Sequence, residues 1–294
     1  MARLRSVELS LDAYRRLAVA TAVMLVVIVA TGATVRLTGS GLGCEHWPGC
    51  TGTVKLPEKG YHSFIEFSNR IVASLTTIVA LAAWLGARFA RVPKGMRRLA
   101  LLTFLGVVAQ GALGAIAVLS HLNPYVVLTH LLLSLAVLSV GIVLAVEATA
   151  LVRGVDRPTL PLWARQAAFV PALALGVLVI SGTLATAAGP HAGSILVRRV
   201  WSFQPAVYWH VRATAVFGIT FALFLVWLVR TRSRHLRGAL GVLAALAVQM
   251  IVGEIQYRTK LPWWLVLIHV SNAAIVWGAM TAFVFSLWRP LRAA

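Results

Sequence analysis

Three histidines lie inside long apolar stretches of this 294-residue chain: His130, His210 and His269. An ionisable side chain inside a transmembrane segment is costly and marks function by default. His130 stands five residues after Tyr125, His210 five after Pro205, and His269 seven after Pro262. In helices these positions lie about 8–10 Å below the nearer ends. Two imidazoles at one depth on facing helices can clamp a flat macrocycle. Haem iron takes axial histidine, and bundle cores commonly host such sites. The alternative is an imidazole that only hydrogen-bonds across helices. Zinc is disfavoured, because the apolar setting supplies no third or fourth ligand.

A carboxylate, Glu66, occurs near the start of another apolar stretch. His62, Glu66 and Asn69 fall at i, i+4 and i+7, on one helix face. Glu66 is a candidate proton carrier or, with Arg70 one turn on, half of a structural ion pair. Arg70 and Arg212 suit planar carboxylates such as porphyrin propionates. Arg36 does the same or anchors its helix end, and Glu254 with Arg212 forms a second polar set. Cys44 and Cys50 are the only cysteines, in the run Gly43-Cys44-Glu45-His46-Trp47-Pro48-Gly49-Cys50. On an oxidising side of the membrane they would form a disulfide staple; redox exchange with a thiol partner is the alternative. No CxxC spacing is present.

The elements that carry these residues follow from composition. The chain is 60% hydrophobic and only 12% charged, with mean hydropathy +0.85. That excludes a water-soluble globule and a disordered chain, and leaves an all-α membrane protein of several spans. The net charge of +19 does not indicate nucleic acid, because the basic residues cluster between apolar runs. Eight spans are expected, near 17–37, 64–90, 99–119, 125–151, 166–188, 205–229, 239–257 and 262–288. The first is too long for the apolar region of a cleaved signal. One set of connections holds eighteen of the 27 Lys and Arg, among them Arg3, Arg5, Arg91, Arg97, Arg157, Arg232, Arg289 and Arg292. The excess of basic residues on one side predicts that both termini are cytoplasmic. Trp163, Trp227 and Trp288 then suit the inner interface. Tyr61, Tyr125, Trp209, Tyr257, Trp263 and Trp264 suit the outer one.

The chain reads as a duplication. Gln110, Gly114 and His130 recur as Gln249, Gly253 and His269, each displaced by 139 residues. Thr31-Gly32 in the first span has a counterpart in Ser181-Gly182 in the fifth. Four spans per half predict two four-helix bundles related by a pseudo-two-fold axis along the membrane normal. The expected division is a half at 1–151, a cytoplasmic linker at 152–165 and a half at 166–294. The first-half position matching His210 is Asn69, so the duplicated site is asymmetric.

Taken together, these residues resemble the haem A synthase family over essentially the whole chain. The resemblance rests on Thr31-Gly32, the run Arg36-Leu37-Thr38-Gly39-Ser40-Gly41, Cys44 to Cys50 with Trp47-Pro48, the Glu66…Arg70 motif, and the three histidines in duplicated halves. It implies a plasma-membrane oxidoreductase that converts a methyl group of haem O to the formyl group of haem A. Two oxidations would give an alcohol and then a hydrate that loses water. It implies a permanent haem B on His210 and His269, and a substrate haem on His130. Glu66 matches the family's essential acid, and Cys44 and Cys50 its outer-loop pair. The second-half loop 189–203 has no cysteine, so the second pair of some members is absent. Where the family commonly has His, this chain has Asn69. That departure predicts an iron held by His130 alone, with an open face for dioxygen and the Asn69 amide beside it. His62 is a rival ligand, about 10 Å higher on the helix.

Implied partners are membrane lipid, haem O, an electron donor that the sequence does not identify, haem O synthase and the machinery of cytochrome oxidase assembly. Two other classes compete. A di-haem electron-transfer protein of the quinol-oxidising type explains paired histidines but has no need of Glu66. A haem transporter or carrier built on parallel repeats predicts a path open to both sides.

Overall fold

A computed structural model describes residues 8–44, 46–47, 49–50, 57, 60–154, 160–191, 193, 201–288 and 290–291. Among them every regular element is helical. Arg3, Arg5, Glu45, Pro48, Arg157, Arg289, Arg292 and most of 189–203 lie outside the described residues.

The elements are α1 (Leu11–Leu37), α2 (Tyr61–Phe89), α3 (Lys94–Leu119), α4 (Pro124–Arg153), α5 (Leu162–Ala167), α6 (Phe169–Ala188), α7 (Phe203–Arg230), α8 (Leu236–Arg258) and α9 (Trp263–Ser286). Taking α5 and α6 as one span, eight are long and apolar enough to cross a membrane. Ser10 caps α1 by accepting the Ala13 N–H at 3.2 Å. Asp12 and Arg15 pair within its first turn, so this helix starts six residues before the expected 17. Asn123 caps α4 just ahead of Pro124, where a missing N–H costs nothing. The interruption at Ala168 lies one turn before Pro171, whose ring nitrogen cannot donate to the Ala167 carbonyl. The linker expected at 152–165 is shorter, because α4 continues to Arg153 and α5 begins at Leu162.

In the first half, α1 packs on α2 and α4, and α3 on both α2 and α4. In the second, α6 pairs with α7 and α8 with α9, and the two pairs touch each other only lightly. The second-half core (Leu175, Phe217, Phe221, Val242, Val276 and Met280 among others) lies to one side of His210 and His269, towards the α7–α8 connection. It ends before the histidines are reached.

The connections repeat as closely as the helices. His121 and Leu122 between α3 and α4 are both left-handed, with φ of 52° and 58°; Lys260 and Leu261 between α8 and α9 have 62° and 60°. Both turns close with the same three backbone bonds, from Ser120 to Ile116, His121 to Val118 and Leu122 to Ala117, and from Thr259 to Ile255, Lys260 to Tyr257 and Leu261 to Gln256. Two consecutive left-handed non-glycine residues are rare, so their recurrence at the 139-residue displacement argues for a common ancestor of the turns. Arg91 and Arg232 are likewise left-handed at a displacement of 141 residues, the one that separates Asn69 from His210.

The halves meet along α1, α4 and α9. Trp277 on α9 donates its indole N–H to Leu135 O at 2.9 Å and Ser139 Oγ at 2.7 Å, both on α4. Glu147, buried on α4, accepts the Leu291 N–H at 2.6 Å and so ties the segment after α9 to the first half. At the opposite end of the seam, Arg36 donates to the carbonyls of Thr186 (2.8 Å) and His191 (3.0 Å). It is the anchor of its helix end.

Candidate functional site

His210 is the eighth residue of α7 and His269 the seventh of α9. Their rings face each other with centroids 6.4 Å apart and planes at 75°. Each ring rests where a neighbouring helix has no side chain. A Cβ built on Gly182 of α6 would come within 2.9 Å of His210 Cε1, and one on Gly253 of α8 within 3.0 Å of His269 Cε1. Ser181 Oγ lies 2.8 Å from Leu178 O and 3.1 Å from His210 Nδ1, so the Nδ1 edge of the ring is held at α6. With the proton on Nδ1, the Nε2 lone pair is the one available to a metal. His269 Nδ1 is buried with no partner at ordinary hydrogen-bond geometry, and the ring interacts with the Gln249 backbone of α8. Among the described residues no three His, Cys, Asp or Glu side chains gather as a metal site. A zinc site needs three or four such ligands, whereas porphyrin iron needs only two from protein. Two facing imidazoles at one depth fit that demand.

The first half repeats the frame with one substitution. His130 on α4 rests against Gly114 of α3, whose Cβ would stand 3.8 Å from Cε1. The Gln110 side-chain amide lies 2.6 Å from its Nδ1. On α2, Asn69 stands where His210 stands on α7. Thr31 Oγ1 lies 3.2 Å from Ile28 O, three residues back, and 2.7 Å from Asn69 Oδ1. This is the Ser181–Leu178–His210 arrangement with an amide in place of the imidazole. The shorter side chain leaves Gly32 with nothing within 4 Å of a built Cβ.

Above this frame sits the cysteine loop, and the Cys44–Cys50 disulfide is formed. Glu66 is 4% exposed. Its carboxylate accepts the Cys44 N–H at 2.8 Å and Arg70 Nη2 at 2.5 Å. Arg70 also donates to the carbonyls of His46 (2.8 Å) and Gly49 (2.5 Å). Ser63 Oγ donates to Gly43 O at 2.8 Å. The loop is thus held onto α2 by the ion pair. Glu66 and Asn69 are three residues apart on one face, about 4.5 Å along the axis.

Other expected residues fall elsewhere. Arg70 is engaged by Glu66 and the loop rather than presented as a separate anion anchor. His62 Nδ1 lies 2.9 Å from Ser40 Oγ and belongs to the loop anchorage. Arg212 lies over the Tyr208 ring, roughly 200° around α7 from His210, so the two do not face one ligand. The expected set of Glu254 with Arg212 does not form. Glu254 pairs with Arg258, one turn on, and both are exposed. Sequence reasoning missed Asn272, which donates to Gln249 Oε1 at 2.8 Å and Ala245 O at 2.9 Å. Its spacing of three from His269 is the only trace it leaves.

A family model described as "Cytochrome oxidase assembly protein" matches residues 15–62 and 54–281. A Heme A synthase of Symbiobacterium thermophilum is 28% identical over 291 residues, covering 92% of this chain and 94% of the relative. A Heme A synthase of Listeria monocytogenes serovar 1/2a is 26% identical over 274 residues, covering 85% and 88%. One from Shewanella oneidensis is 29% identical over 141 residues, 42% of each chain.

Proposed function

Because the chain belongs to the cytochrome oxidase assembly protein family, we propose that it is a membrane oxidoreductase that converts the methyl group of haem O to the formyl group of haem A. The facing pair His210 and His269, 6.4 Å apart on α7 and α9, carries this reading. In it the second half holds a permanent haem B through these imidazoles. The first half receives haem O on His130, with Asn69 leaving the opposite face open. The halves are related by a pseudo-two-fold axis along the membrane normal, and both termini face the cytoplasm. The histidines then lie near the outer face of the plasma membrane.

Bound haem supplies the one-electron and oxygen chemistry that no side chain here can perform. The protein's own part is position and protons. Ser181 presets His210 for ligation, and Gly182 and Gly253 make room for the rings. Glu66 accepts a proton beside the substrate site, and Arg70 with the Cys44 N–H fixes where its oxygens lie. The disulfide loop closes the outer side and limits water. Arg212 is left out of propionate binding for the reason of facing given above.

A di-haem electron-transfer protein would not need a buried carboxylate one turn from a vacant ligand position. The test is pigment extraction with mass analysis after expression with haem O. Formyl haem is expected from wild type and not from Glu66→Ala. Haem O recovered unchanged from active wild-type membranes would overturn the assignment.

A further inference from the structure

Gln256 continues the stripe of α8 that serves the second-half site. Gln249, Gly253 and Gln256 fall at i, i+4 and i+7, on one face of the helix. Gln249 meets Asn272 of α9, and Gly253 is the seat of the His269 ring. Gln256 lies one turn beyond that seat, about 4.5 Å along the axis, towards the α8–α9 turn. Its side-chain oxygen Oε1 is buried and has no hydrogen-bond partner. A buried polar atom left unpaired costs free energy. The two ends of a side-chain amide exchange by a half-turn, so the buried end can equally present N–H. The first-half residue at the same displacement of 139 is Ala117, which has no polar side-chain atom. The amide belongs to the second half alone.

The surroundings indicate the chemistry of its partner. The apolar core packs on the other side of His210 and His269, towards the α7–α8 connection. A porphyrin held between these rings would turn its apolar edge to that core and its carboxylate edge towards the α8–α9 turn. A carboxylate there needs hydrogen-bond donors in place of the water it gives up. Arg212, which lies over Tyr208 and away from His210, supplies none. We propose that Gln256 donates its side-chain N–H to a propionate carboxylate of the haem held by His210 and His269. The second half thereby gains a hold on its cofactor that the first half lacks. This rests on the reading that these two imidazoles ligate a haem.

The experiment uses the purified full-length holoprotein, expressed without haem O so that the low-spin haem is the one observed. Gln256→Leu keeps the bulk of the side chain and removes the amide. Two quantities are read: the resonance Raman band of propionate bending, which moves with hydrogen bonding to the carboxylate, and the rate at which haem passes to excess apomyoglobin. The band is expected to shift in Gln256→Leu, and haem to be lost roughly 10–100-fold faster, as for a lost hydrogen bond to a charged group. The fraction still bound keeps its low-spin spectrum. A general loosening of the site would speed the loss without moving the band. Gln256→Asn, one methylene shorter, is expected to shift the band in the same direction and replaces Gln256→Leu if the latter does not assemble. An unmoved propionate band in a variant that retains haem, whatever its rate of loss, overturns this inference and leaves the paired imidazoles standing. A wild-type protein without a low-spin haem overturns the parent reading.

Discussion

The two halves share helices, turns and glycine seats, yet they treat their imidazoles differently. In the second half two rings face each other, and Ser181 holds the Nδ1 edge of His210. In the first half one ring remains, and an amide occupies the other place against Thr31. The second half has its buried core below the rings and only light contact between its helix pairs. The first half has a tighter bundle, topped by a loop that a disulfide and a buried ion pair hold down. Under the proposed function, the difference separates a site that keeps its ligand from a site that must admit and release one.

The largest effect expected is on chemistry, and it contrasts two carboxylates. Glu66→Ala removes a buried proton acceptor and should lower formyl haem production roughly 10²–10⁴-fold, measured by extracted pigment per unit of protein. Glu254→Gln, in the exposed Arg258 pair, should leave production and stability unchanged, since exposed pairs contribute little. A comparable loss at both positions would erase the distinction between the halves.

Next comes retention of the tightly held haem. His210→Ala should abolish the low-spin spectrum of the purified protein. His130→Ala should leave it in place, because in the proposed function that residue serves the substrate haem.

A smaller contrast lies in the glycines. Gly182→Ala drives a methyl group into the His210 ring and should cost about 1–3 kcal/mol. Gly32→Ala meets open space and should be neutral or stabilise by up to about 1 kcal/mol through helix propensity. Thermal unfolding in detergent reads both. Equal costs would mean that Asn69 is as crowded as His210. Smallest is the seam between the halves. Trp277→Phe removes two hydrogen bonds to α4 and should cost about 0.6–2 kcal/mol, again read by thermal unfolding.

Much of this was legible in the sequence because the membrane imposes its own simple rule. Runs of apolar residues near 20 long must be helices, and eight were found where eight are seen. The ends were less legible. The first helix gains six residues through Ser10, Asp12 and Arg15, whose polar turn an apolar count cannot register. The break at Ala168 needed attention to Pro171. At the site, residue type and depth single out His210 and His269, whose rings the fold brings together, and Glu66, which it buries. They could not identify lateral partners. Glu254 and Arg212, expected as one polar set, each have a nearer partner one turn away on their own helix, where alignment needs no tertiary fit. Trp277, Glu147 and Asn272 act across helix boundaries, and nothing in their local sequence announces it.

The central claim is that one half closes on its haem with two imidazoles and the other keeps only one. Spin-state spectroscopy of the haem O-loaded protein, beside Asn69→His, tests it most directly. The wild type should show one six-coordinate low-spin haem and one five-coordinate high-spin haem, and Asn69→His should convert the second to low spin. Two low-spin haems in the wild type, unaffected by His62→Ala, would contradict it.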